Sequence, residues 1–260
     1  MKPRLFSVCA LCIASSLAQA SSSVDTDYLT PRIAVGEHNS NIYSIASSVK
    51  AEGFDELVRR NSGSADYTLT QESADHALTF NVRDIYDGSP VNQGEFTMRE
   101  GGATDCNSKG ECHTYTDASG LLYNQLLWGR PPEHLTAGMT WKVTINQAWE
   151  FGAAGTQTVT VMRVDDANGT VTLMREGAAT GALADEPTEV TLVKNGKKIT
   201  LDVTPGKAQW TGYTTFRHGI VLNDELLVTR TEDLDSKETG IVKATLRRYM
   251  LSNAAPYPTL

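Results

Sequence analysis

The chain is predicted to be mainly β: a curled antiparallel sheet, as a half-barrel, a barrel or a sandwich, carrying two short helices. Two observations predict it. Between Gly138 and Arg248, short alternating segments follow one another. They begin with Trp141, Val143 and Ile145 set against Lys142, Thr144 and Asn146, and continue through Val159, Val161, Val171 and Leu173. The links between them carry turn chemistry, including the pairs Asn168-Gly169 and Asn195-Gly196, which favour the positive φ angles that tight hairpins need. Residues 190–193, 199–203, 210–216, 220–228 and 242–249 complete the strand series.

Taken in order, residues 1–20 read as a secretory signal peptide. Lys2 and Arg4 precede the apolar run Leu5–Leu17, and Ala18-Gln19-Ala20 is a small-residue cleavage site. Neither Cys9 nor Cys12 has the setting of a lipid-attachment cysteine. The mature chain, 21–260, is then expected to be one β-rich domain in the periplasm or outside the cell, with a possible two-lobed break near 129–138. No later segment approaches the ~20 apolar residues of a membrane-spanning helix.

Residues 33–35 and 42–45 are each open between an edge strand and a packed loop. Phe54, Leu57 and Val58 share one face of a two-turn helix over 54–60, with Asn61-Ser62-Gly63-Ser64 as its stop. Residues 67–69, 77–85 and 96–98 read as strands, with Asp87-Gly88-Ser89-Pro90 turning between the last two. Leu121–Trp128 has helical spacing and ends at Gly129-Arg130-Pro131-Pro132, since proline cannot continue the ladder. Met98–Thr104 recurs, with one change, as Met174–Thr180, which is either a duplicated half or a shared strand-end idiom.

Charge and cysteine content narrow the chemistry. The net charge is −8, and removing Lys2 and Arg4 makes it more negative, which disfavours binding to phosphate backbones and to anionic lipid heads. Cys106 and Cys112 close a short polar loop and read as a disulfide, in keeping with export. Such a ring stabilises by only ~2–2.5 kcal/mol.

No G-x-S-x-G elbow, H-E-x-x-H zinc motif or phosphate-binding glycine loop occurs. His38, His76, His113, His134 and His218 stand singly, and Arg217-His218-Gly219 is most simply a hairpin turn. Asp165–Gly169 lacks the alternating ligand positions of a calcium loop. No metal, cofactor or catalytic residue is assigned. Carboxylates at strand ends, among them Glu100, Asp105, Glu150, Glu176, Asp224 and Glu225, could act as a hydrolase pair only if the fold brought two together.

The later strands place Thr156, Thr158 and Thr160 on one side and apolar residues on the other. Few helices are available to cover the apolar side. The expected function is therefore non-enzymatic binding or carriage of a lipophilic ligand or an envelope partner. Trp141, Val143, Val159, Val161, Trp210 and Phe216 would form the walls, and Leu122, Leu126 and Trp128 the lid. A secreted carbohydrate-active hydrolase or lyase, and an interaction module with a closed core, are the alternatives.

Overall fold

The structure, a computed structural model, describes residues 27–74, 77–99, 102–106, 112–115, 121–149, 151–182 and 188–255; at 91, 92, 96, 99, 102–106 and 112–115 it describes the backbone alone. Thirteen strands form one antiparallel sheet. They are β1 (His38–Ala51), β2 (Leu57–Glu72), β3 (Leu78–Tyr86), β4 (Ser89–Arg99), β5 (Gly102–Cys106), β6 (Cys112–Tyr115), β7 (Thr140–Ile145), β8 (Gly155–Asp165), β9 (Thr170–Thr180), β10 (Glu189–Lys194), β11 (Lys197–Arg217), β12 (Ile220–Asp235) and β13 (Val242–Ala255). Their order is β6-β5-β4-β3-β2-β1-β13-β12-β11-β9-β8-β7, with β10 also on β11. Among the described residues the sheet is not closed, its ends being β6 and β7. Hydrogen bonding is continuous from β6 to β7, so residues 129–138 link one helix to β7 within a single sheet.

The hairpins follow from residues that tolerate positive φ. Asp87-Gly88 (φ 48° and 78°), Asn195-Gly196 (52° and 76°) and His218-Gly219 (46° and 69°) are two-residue turns with both centres left-handed. Asn168-Gly169 differs from expectation. Only Gly169 is left-handed there, at 61°, because the pair ends a four-residue loop between Asp165 and Thr170.

Two helices were expected and one short helix is described, α1 (Gln125–Trp128). Asn124 caps it by accepting from the Leu126 N–H. Residues 54–60 are not helical. Leu57–Arg60 instead begin β2, opposite Val49–Ala46 of β1, and Phe54 and Leu57 pack into a core cluster. Pairing with a 14-residue neighbour outweighs a two-turn helical pattern. The expected stop at Asn61–Ser64 runs through mid-strand. Gly63 is required there because a Cβ would come within 2.1 Å of the Ile85 carbonyl oxygen on β3 and 2.5 Å of the Tyr43 ring.

The two copies of the Met-Arg-Glu repeat differ in structure. The first spans the end of β4 and the start of β5, while the second is the last seven residues of β9.

Three apolar clusters lie on the inner face. One joins β7–β9, β11–β13 and residues 123–153; the second joins β1 and β10–β13; the third joins β2–β4 with Leu121 and Leu122. Around the second, the sheet curls until the Asp55 N–H donates to the Val193 carbonyl at 2.8 Å and the Lys194 ammonium sits 5.4 Å from the Phe54 ring centroid.

Candidate functional site

Strand alternation sets what faces the concavity. Along β8, Gln157, Val159 and Val161 are buried while Thr156 is exposed and Thr158 and Thr160 are half-buried, as the threonine pattern predicts. Registers extend this inner row across the sheet: Trp141–Val159–Arg175–Gly212–Leu226–Met250–Ile45. The next row is Val143–Gln157–Gly177–Trp210–Val228–Arg248.

Residues 121–129, with Trp149, Phe151 and Ala153, cover this face, and the cover is bolted down. Three consecutive carbonyls at the end of α1 each receive a side-chain donor. The Gln157 amide donates to Leu127 O, the Trp141 indole to Trp128 O at 2.6 Å, and the Tyr123 hydroxyl to Gly129 O at 2.7 Å. These are carbonyls that a helix end leaves without partners. Burial pushes the Tyr123 phenol above its usual range, so it remains a donor. Gln157 also accepts from the Trp210 indole at 2.9 Å, tying the cover to β11.

The tryptophans and Phe216 expected as walls and lid lie in this assembly. Trp128, Trp210 and Phe216 are buried and Trp141 is half-buried. Trp128 meets Phe216 edge-on at 5.2 Å between centroids, and Trp210 meets Trp149 edge-on at 5.7 Å. The Trp210 ring lies over Gly177, where a Cβ would approach it to 2.2 Å. Leu122 sits in the third cluster with Tyr67 and Phe80. Leu126 is half-buried at a cavity of about 240 Å³ between α1 and β7, lined also by Gln125, Gly129, Lys142, Val143 and Asn146. Expected wall and lid thus pack on each other and on Trp149, and a cavity opens on the β7 side of α1.

Charged groups on the inner face are the feature that sequence reading missed. Arg175 and Asp224 are 2% and 3% exposed. The Arg175 Nη2 donates to both Asp224 oxygens at 3.1 and 3.0 Å, and the Thr214 hydroxyl donates to the same carboxylate. The guanidinium carbon lies 4.8 Å from the Trp128 ring centroid and 5.5 Å from that of Trp149, a cation–π sandwich in a desolvated setting. Lower on β12, buried Arg230 donates to Glu232. Alternation alone marks these positions as inward. Only their partners make them tolerable there.

The carboxylates considered for a hydrolase are dispersed among the described residues. Asp224 and Glu225 point to opposite faces, and Glu176 is exposed on the outer one. The side chains of Glu100, Asp105 and Glu150 lie outside the described residues, as do those of Cys106 and Cys112, although the backbone sets the two cysteines opposite each other in register. His218 occupies its turn, whose Gly219 N–H donates to Tyr28 O and whose Gly219 carbonyl accepts from Tyr123 N–H. Among the described residues no group of three or more His, Cys, Asp or Glu could hold a metal ion, and no helix is long and apolar enough to cross a membrane.

No protein-family model and no curated protein matches the chain. Among solved structures, it is similar to one described as lipid–protein interactions in lipovitellin, at 12% identity and TM-score 0.39, covering 88% of this chain and 26% of that one. It is also similar to Neisserial surface protein A (NspA), at 5% identity and TM-score 0.25, covering 83% and 96%. The chain therefore spans about a quarter of the lipovitellin chain. Scores this low carry no argument about function.

Proposed function

We propose that the chain is an exported, non-enzymatic binding or carrier domain for a lipophilic ligand or an envelope partner. One observation carries the reading: an unclosed sheet of thirteen strands presents an apolar inner face whose cover includes a single one-turn helix. Apolar surface on such a face gains free energy when an apolar molecule displaces water from it. The cavity beside Leu126 and Val143 is small against the ~300–1,000 Å³ usual for ligand sites, so a long-chain ligand requires the cover to shift. The buried carboxylates Asp224 and Glu232 are engaged by arginines, which leaves them structural work.

A second reading, an interaction module without a small-molecule ligand, draws on the mutual packing of Trp128, Phe216, Trp149 and Trp210. Export and the Cys106–Cys112 disulfide belong to the same proposal.

A single purification tests all of it. Native mass spectrometry of protein isolated from the envelope is expected to show a co-purifying apolar molecule. Denaturing mass spectrometry of that sample is expected to show a chain starting near Ser21, about two daltons lighter than its reduced form. A bare protein mass that stays bare after incubation with lipid extract would leave the module reading.

A further inference from the structure

The outer face of the sheet is largely threonine, serine and charge, with Val58 of β2 and Met162 of β8 exposed singly and a denser apolar group where β1, β13, β12 and β11 lie side by side. There Ile42, Leu227, Tyr213 and Tyr249 are 56, 41, 41 and 37% exposed. The register gathers Leu227, Tyr249 and Tyr213, while Ile42, opposite Asn253, lies two outward-facing steps from Ala46. Leu227 stands opposite Tyr249 and Thr211, and Tyr249 stands opposite Ala46. One step along the strands, Glu225 stands opposite both Tyr213 and Leu251. At ~4.8 Å between strands, the apolar ground spans about 15 Å across the sheet.

Three cations border it on the same face. Arg247 is two residues from Tyr249 on β13, Arg60 is opposite Ala46, and Lys50 is two residues beyond Ser48, itself opposite Arg247. All three are exposed, and none has an ion-pair partner among the described residues. The carboxylates of the patch are engaged instead. Glu225 accepts from the Tyr249 hydroxyl at 2.9 Å, and Asp233 pairs with the Lys243 ammonium. Glu176, opposite Thr211, marks the far margin.

We propose that this outer face docks on an anionic phospholipid bilayer surface. Tyrosine rings settle where headgroups meet acyl chains, and here Tyr213 and Tyr249 flank Leu227 at that level. Arg247, Arg60 and Lys50 meet the lipid phosphates, each adding to the attraction of an anionic leaflet. The acidic balance of the whole chain, which taken alone disfavours anionic lipid heads, acts on this face only at short range. Screening at physiological salt acts over ~8 Å, so the charges on the docking face dominate. The proposal concerns the opposite face from the cover over the concavity, and it stands or falls separately from ligand carriage.

The test is co-sedimentation of the protein as purified from the envelope with vesicles of phosphatidylcholine, with and without phosphatidylglycerol. The wild type is expected to sediment with the anionic vesicles and to release as salt is raised. The double variant R60E/R247E is expected to lose roughly tenfold or more in partitioning, and Leu227→Asp to abolish it. Lys237→Glu, exposed in the turn between β12 and β13, should behave as wild type. Because every substituted side chain is exposed, circular dichroism and the thermal midpoint should not change. Equal sedimentation of wild type, L227D and R60E/R247E, or none by any, overturns the proposal. So does a vesicle-free dimer that L227D converts to monomer, which would make the face a self-association surface.

Discussion

Asp224 compensates the buried Arg175 charge at the centre of the inner face, with Thr214 on the same carboxylate and two indoles around the guanidinium. Asp224→Asn keeps the shape and removes the charge, leaving a desolvated cation unpaired. Breaking such a pair costs ~3–5 kcal/mol. The variant is expected to show a loss of that size in urea unfolding, and Arg175→Met combined with Asp224→Leu should recover much of it. A loss under about 1 kcal/mol for D224N would mean water reaches the pair and that it is no true core contact. Glycines answer to the same scale. Gly177 is set by an aromatic ring lying on it, and Gly63 by a ring and a strand carbonyl, close approaches that one sequence does not announce.

At the scale of the element, the cover over the concave face owes its position to its carbonyls as well as to its apolar residues. Gln157 holds two of the bonds, to Leu127 O and from the Trp210 indole. Gln157→Leu leaves both partners buried and unsatisfied, at ~1–3 kcal/mol each. It is expected to lower stability accordingly and to shift tryptophan emission as Trp210 loses its acceptor. Unchanged emission with unchanged stability would show the cover held by packing alone. The stretch 121–128 was legible as a helix because leucine spacing and the flanking prolines agree, though only its last four residues are helical. The stretch 54–60 was not. Its short apolar pattern fits either period, and the partner that decides it, β1, is recognised only once paired.

For the molecule as a whole, the three apolar clusters share long strands. β11 contributes Ile199 and Leu201 to one and Trp210 and Phe216 to another, and β1, β12 and β13 run beneath them in the same way. Elements shared so fully are expected to unfold together, giving one calorimetric transition whose van't Hoff and calorimetric enthalpies agree. Two resolved transitions would instead mark the β10 end, curled against Phe54, as a separate unit.

Strand content, the turn at His218-Gly219 and the threonine-coated outer face could all be read from the residues, because alternation and left-handed turn preferences are local properties. The candidate site was legible only as a set of apolar side chains. That Trp128 and Phe216 touch, that Arg175 finds Asp224 across two intervening strand pairings, and that Tyr249 comes beside Leu227 depend on register. Register joins residues dozens of positions apart, and in a sheet this wide it is settled by the burial of one whole face at once.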